Sequence, residues 1–346
     1  MSAAESAGAP IAGRELSSLF SRLESFRRVL LAVSGGPDST ALLLLAHRWR
    51  KTCKRGPELF AATVDHRLRK ESKTEAAAVG KLARSLGIPH KILVWSGTKP
   101  KRGLQEAARE ARYALLVRLA RKLEADAIVT AHTLDDQAET LLMRLAHGSG
   151  LAGLGGIRPK SRRDGITLLR PLLGVQKGRL VATLRKARIS FAEDPSNADP
   201  RFLRPRLRAF ATAFAGQGFD AARLARVAAR LARADAAIEA AIDELQTSLA
   251  GGGWPEGGPI VLDAGRLFRA PDEISLRLLG RAIERAGNEG PVELAKLETL
   301  HLAAKEAALR GKLFRRTLAG AAAGLSKGRL IVERAPARRA GRRKRA

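Results

Sequence analysis

The chain has 346 residues, with 63 Lys and Arg against 34 Asp and Glu, a formal net charge of +29. Hydrophobic residues make up 45% and recur in periodic runs, which excludes a wholly disordered basic protein and leaves length for about two domains with substantial cores. So much positive charge calls for an anionic partner, either nucleic acid or an anionic membrane surface. Aromatic residues are only 4%, so base stacking is disfavoured as the main mode of binding, and a folded nucleic acid held through its phosphates fits better. The single cysteine, Cys53, cannot form an internal disulfide, a zinc knuckle or an iron-sulfur cluster, and a reducing, cytoplasmic compartment is expected. Residues 1–13 lack the apolar core of a signal peptide, and no apolar run is long enough to span a bilayer, so no membrane partner is expected.

Residues 14–27 have the pattern of a short amphipathic helix. Residues 28–33 form a compact apolar run halted at Ser34-Gly35-Gly36-Pro37-Asp38, which reads as a strand entering a tight turn. From Ser39 onward Leu42, Leu45 and Ala46 take helical spacing. The alternation continues with strands at 59–64, 90–95 and 127–130 and helices at 71–86, 104–123 and 135–146. This predicts an α/β fold, a parallel Rossmann-like sheet with helices on both faces. A glycine-rich passage at 148–156, a strand at 166–169, a helix near 176–187 and an Arg-rich stretch at 193–208 complete a first domain expected to span 1–215. Beyond it Leu224, Val227, Leu231, Ala234, Ile238, Ile242, Leu245 and Leu249 describe one long amphipathic helix, stopped by Gly251-Gly252-Gly253. Helices at 272–286 and 292–309, then two strand-like runs at 313–318 and 329–333 joined by a Gly and Ala loop, make a smaller, mainly helical domain at 216–333. The tail 334–346 has seven Lys or Arg and no acid and is expected to be disordered. No repeat array or sustained heptad is visible, which leaves the oligomeric state open.

In parallel sheets ligands lie beyond the carboxyl ends of the strands, so the residues there carry the functional reading. In Ser34 to Ser39, glycines permit close backbone approach, the following helix aims N–H groups and its positive dipole end at an anion, and hydroxyls add donors. The loop reads as a phosphate cradle, although an ordinary turn capped by Ser or Asp has the same composition. It is neither GxxxxGK[ST] nor GxGxxG, against a P-loop NTPase or a dinucleotide dehydrogenase. The second constellation runs from Thr130 to Thr140. Leu134, Ala138, Leu141, Leu142 and Leu145 form the buried stripe of its helix and leave Asp136, Glu139 and Thr140 near the first turn. Acids there suit the helix dipole by themselves, and His132 by itself suits a core; together at a strand end they could also hold Mg²⁺ or an ammonium group.

The hexapeptide Ser34-Gly35-Gly36-Pro37-Asp38-Ser39 resembles the SGGxDS signature of the PP-loop ATP pyrophosphatases, which cleave ATP between the α and β phosphates. The resemblance implies that Ser34, Gly35, Gly36, Asp38 and Ser39 bind ATP, with Pro37 at the variable position. His132-x-x-Asp135-Asp136-Gln137-x-Glu139-Thr140, then Arg144 and the run Gly148-Ser149-Gly150-Leu151-Ala152-Gly153-Leu154, narrow the likeness to the tRNA(Ile)-lysidine synthetase family. Val64-Asp65-His66 with Leu68-Arg69, Ala108 to Tyr113, Arg170 to Leu173, and Glu193 to Asn197 with Phe202, Arg204 and Arg208 resemble further motifs of that family, in order. Arg67 stands where the family usually has Gly, and Pro205 where it usually has Asn.

The family likeness implies an ATP-dependent ligase that forms a carbon–nitrogen bond on the isoleucine tRNA with a CAU anticodon. ATP adenylates the C2 oxygen of the wobble cytidine and releases pyrophosphate; the ε-amine of free L-lysine then attacks C2 and expels AMP, changing decoding from AUG to AUA. By the same likeness Asp38, His132 and Asp136 are catalytic, Asp38 holds Mg²⁺, Asp136 and Glu139 contact lysine, and Arg112 meets an anionic group. His132 lies near the adenylated base, and Arg204 and Arg208 bind RNA. Two other readings remain: another PP-loop enzyme, such as a tRNA thiolase with paired cysteines or an amidating synthetase, and a noncatalytic RNA-binding protein.

Overall fold

The computed structural model describes residues 8–68, 71–100, 102–192, 203–250 and 253–336. The chain forms two compact units, one of Met1–Ser149 with Gly153–Arg230 and one of Gly150–Ala152 with Leu231–Ala346. In chain order the elements up to residue 213 are α1 (Leu16–Phe20), β1 (Arg28–Ala32), α2 (Pro37–Thr52), β2 (Glu58–Asp65), α3 (Ser72–Ser85), β3 (His90–Val94), α4 (Leu104–Lys122), β4 (Ala127–Val129), α5 (Leu134–Ala146), α6 (Leu151–Leu154), β5 (Lys160–Arg163), β6 (Ile166–Leu169), α7 (Lys177–Lys186) and α8 (Leu203–Ala213).

Six strands lie in the order β3-β2-β1-β4-β6-β5. The ladders from β3 to β6 are parallel, as the strand–helix alternation predicts, and β5 pairs antiparallel with β6 at the edge. β5 is a departure from the sequence reading: Lys-Ser-Arg-Arg carries no apolar pattern, and an edge strand covered on one side needs none. β1 is central and buried on both faces. Val29 and Leu31 enter a core with Leu42, Leu43, Ala46 and Trp49 of α2 and Leu180 and Leu184 of α7, while Leu30 enters the opposite core with Leu116, Val117 and Ala120 of α4. A strand with no polar face reads as the continuous apolar run seen in the sequence.

α9 (Ala221–Ala250) runs through the division between the units. The second unit continues with β7 (Ile260–Asp263), α10 (Ala264–Arg269), α11 (Asp272–Ala286), α12 (Leu294–Leu309), β8 (Phe314–Leu318), β9 (Ala321–Ser326) and β10 (Arg329–Arg334). Its antiparallel sheet has the order β7-β10-β9-β8, so the expected Gly and Ala loop is in fact an inner strand. Ala321, Ala322 and Ala323 have low strand propensity but are buried between two partners, and the tertiary context overrides the preference. Arg277 of α11 pairs with Asp235 and Glu239 of α9, and Arg281 with Glu239 and Asp243. Arg334 closes β10, while residues 337–346 of the expected basic tail lie outside the described residues.

Candidate active site

The phosphate loop is built by Ser39. Its Oγ accepts from the backbone N–H of Ser34 at 3.0 Å and of Gly35 at 3.2 Å, and donates to the Gly36 carbonyl at 3.1 Å. The Thr40 hydroxyl donates to the Gly35 carbonyl, and the Ala192 N–H reaches the same oxygen at 2.9 Å. Gly35 has φ +97°, and an added Cβ would lie 3.4 Å from Val79, so only glycine turns the chain here without strain. No side chain caps α2 at Gly36, and Pro37 at its first position has no N–H to leave unpaired. The amides of Asp38 and Ser39 thus head the helix, and the Thr40 N–H makes the first helical bond, to Gly36. This is the geometry of a backbone anion site rather than of a side-chain-capped turn.

Asp38 lies in that first turn, largely buried. Its Oδ1 has no hydrogen-bond partner among the described residues, and its Oδ2 is 3.5 Å from Lys177 Nζ. Burial pushes its carboxyl up to about 6; the Lys177 ammonium pulls the other way, and the charges of Asp136 and Asp135 add to the rise. Asp135 is placed by α7, accepting from the Lys177 backbone N–H at 2.8 Å. Asp136 Oδ2 accepts from the Thr133 N–H at 2.8 Å and the Thr133 hydroxyl at 2.9 Å, a reciprocal cap on α5. The capping reading therefore holds for Asp136, and it occupies one of the two carboxylate oxygens.

The structure brings the loop, Asp135 and Asp136 to one edge of the sheet because β1 and β4 are adjacent. His132 follows β4 and is fixed by Thr130, Oγ1 to Nδ1 at 2.9 Å. Glu139 is buried on α5, and Arg112 is exposed on α4. Arg112 bears electrostatically on His66 at the end of β2, whose imidazole is pushed down to about 4, first by burial and then by Arg112, so it is neutral near pH 7. His66 packs edge-on against Trp95, which Lys99 covers. Arg204 and Arg208 lie on α8, their side chains outside what the structure describes, as are residues 193–202 and Arg69.

Other matched motif residues are structural. Gln137 donates to the Ile157 carbonyl at 2.9 Å and accepts from the Ile157 N–H at 2.6 Å, and Arg144 donates to the carbonyls of Gly153 and Gly156. Gly156 has φ +73°, and a Cβ there would be 2.6 Å from Gln137 Oε1. Arg170 donates to the Arg158 carbonyl and the Ser161 hydroxyl. Arg67, the departure from Gly, has φ +49°, in the left-handed region. Asp65 makes this tolerable, its Oδ1 accepting from the Arg67 N–H at 2.8 Å and from Ser72 Oγ at 2.7 Å. Burial would raise the Asp65 carboxyl, but these bonds and the Arg67 charge outweigh it and hold it below the usual range.

Among the described residues no three His, Cys, Asp or Glu side chains form a ready-made metal cluster. Mg²⁺ asks for less, one or two carboxylates together with substrate phosphate oxygens, and the orphaned Asp38 Oδ1 beside the loop meets that requirement. Lys177 is the site residue that the sequence reading missed. Its only sequence signal is a cation in the first turn of a helix, where the dipole disfavours one.

Residues 9–239 match the PP-loop domain family. The tRNA(Ile)-lysidine synthase of Bradyrhizobium diazoefficiens is 50% identical over 346 residues, covering 95% of this chain and 96% of its own. That of Rhodopseudomonas palustris is 51% identical over 335 residues with the same coverage, and that of Methylobacterium sp. strain 4-46 is 52% identical over 315 residues, 90% of each chain. A solved U34-tRNA thiolase from Methanococcus maripaludis, with its [4Fe-4S] cluster, superposes with a TM-score of 0.54 over 64% of this chain and 78% of its own. At 18% identity that likeness speaks for a shared fold alone. Identity at the level of the three synthases, sustained along nearly the whole of both chains, leaves one placement: the chain belongs to the tRNA(Ile)-lysidine synthase family.

Proposed function

We propose that this chain is an ATP-dependent ligase that joins free L-lysine to C2 of the wobble cytidine in the CAU isoleucine tRNA, releasing pyrophosphate and AMP. The observation that carries the reading is identity of 50% to synthases of that name over 95% of the chain. In the first step the cytidine C2 oxygen attacks the α phosphorus and the bond to pyrophosphate breaks. The charge that grows on the leaving phosphates meets the amides of Asp38 and Ser39 and the dipole of α2. Mg²⁺, when bound, supplies further charge neutralisation to those phosphates, with Asp38 as the side chain that would hold it.

In the second step the lysine amine attacks C2 and the bond to the AMP oxygen breaks. A free ammonium has a pKa of about 10.4, so the site must attract a cation and then take its proton. Asp136, with Oδ2 fixed by Thr133, offers its other oxygen, and Glu139 adds a second carboxylate. Arg112 meets the lysine carboxylate or a phosphate, and His132, steadied by Thr130, faces the base. Arg204 and Arg208 contact tRNA phosphates, in keeping with the net charge of +29. No helix among the described residues is long and apolar enough to cross a membrane, and we place the enzyme in the cytoplasm.

Thiolation is disfavoured by chemistry. The one thiol, Cys53, lies just past the far end of α2, about 24 Å of helix from the phosphate loop. The test is ATP-dependent incorporation of labelled lysine into the CAU isoleucine tRNA, with the CAU methionine tRNA as control. Transfer confined to the isoleucine tRNA, with AMP released, is expected. AMP and pyrophosphate formed with another acceptor would retain the PP-loop chemistry and refute the lysidine assignment.

A further inference from the structure

We infer that Lys177 is a nucleotide-binding residue, whose ammonium leaves Asp38 for the β and γ phosphates when ATP enters the Ser34 to Ser39 loop. Three observations converge on it. The first turns of α2 and α7 meet through Lys177 Nζ and Asp38 Oδ2 at 3.5 Å. The Lys177 backbone N–H is tied to Asp135, so the residue is anchored at the site from both its main chain and its side chain. Its side chain keeps 34% exposure, which leaves the ammonium accessible to an incoming anion.

The chemistry of Asp38 explains why a cation stands there. A largely buried carboxylate with one oxygen lacking any partner among the described residues needs a counter-ion, and Lys177 pairs with its other oxygen. An arriving triphosphate presents a stronger anion at the same helix N-terminus. The lysine can then pair with phosphate, and both Asp38 oxygens become available to a cation that accompanies the nucleotide. Lys177 thus acts as a counter-ion that changes partners. A Lys at the first position of α7 opposes that helix's dipole, and this placement makes sense when its target is an anion rather than the helix itself. The inference rests on the loop as an ATP site, and it is independent of which acceptor receives AMP.

The experiment uses the full chain without tRNA or lysine. Calorimetric affinities for ATP and AMP are measured with Mg²⁺ for the wild type, Lys177→Met and Lys177→Arg. Loss of one charge-assisted contact to phosphate predicts that Lys177→Met weakens ATP about ten- to a hundredfold while AMP is little changed, and that Lys177→Arg recovers most of the loss. Acylation of the wild-type amines, read by mass spectrometry, gives a measurement that needs no variant: ATP protects Lys177, and AMP does not. Equal weakening toward ATP and AMP, undiminished ATP affinity in Lys177→Met, or unprotected Lys177 under saturating ATP would overturn the inference. Failure of the wild type to bind ATP at all would overturn the ATP reading of the loop with it.

Discussion

Replacing Asp38 with Asn keeps the shape of the side chain and removes a charge that the fold holds at a loss. Burial carries the carboxyl from 3.8 in the unfolded chain to about 6 in the folded one, a difference worth about 3 kcal/mol. The folded state binds the proton more tightly, so the penalty is absent below the unfolded pKa, grows as pH rises through the interval, and is complete above the folded value. Asp38→Asn is therefore expected to gain about 2–3 kcal/mol at about pH 8, the lower figure allowing for water at a side chain that keeps 24% exposure. At about pH 4.5 the gain falls to about 1 kcal/mol by the same linkage. Urea denaturation followed by tryptophan fluorescence reads it, since Trp49 is buried on the same helix. The more stable variant is also expected to lose lysine transfer, since the strained carboxylate is the one assigned to catalysis. A variant no more stable than wild type at pH 8, or a gain that does not change with pH, would refute the reasoning.

Gln137→Ala strips both backbone partners from Ile157 and should lower stability by about 2–3 kcal/mol in urea; wild-type stability with lost transfer would instead place Gln137 against substrate. Gly35→Ala forces a left-handed residue toward Val79, at about 1–2 kcal/mol of strain, and should weaken ATP binding at least about tenfold by calorimetry. An unchanged ATP affinity would count against the loop as the phosphate cradle. Arg67→Gly relieves a positive φ and should leave the urea midpoint equal or raised, by up to about 1 kcal/mol; a lower midpoint would mean that the Arg67 side chain contributes more than its backbone strain removes.

The parallel sheet and the phosphate loop were legible because their signals are local: a run of apolar residues buried on both faces, then glycines and hydroxyls at a helix start. β5 and β9 were not, since Lys-Ser-Arg-Arg and Ala-Ala-Ala-Gly become strands only through the neighbours that pair with them. The candidate site divides the same way. Asp38 and Asp136 could be named from their motifs, but that Asp136 spends one oxygen on Thr133 follows from the cap geometry alone. Lys177 reaches Asp38 across well over a hundred residues of sequence, and Gln137 and Arg144 look like chemistry in a motif while serving as latches on the 153–157 turn. A family pattern preserves residue types without saying which of them touch substrate.

The pairing of β1 with β4 has a consequence for how the enzyme comes into being. The loop after β1 and the helix after β4 carry the two parts of the proposed site, and the Val29–Ala127, Leu30–Ile128 and Leu31–Val129 ladder sets them side by side. A nascent chain that has emerged only as far as α4 owns a phosphate loop with nothing opposite it, so it is expected to bind nucleotide poorly and to waste none. Any ligand that touches both parts adds its binding free energy to the closing of that ladder. Substrate and central sheet are in this sense cofolding partners, and a mutation in the dry middle of β1 or β4 should surface first as a loss of ligand affinity rather than as unfolding.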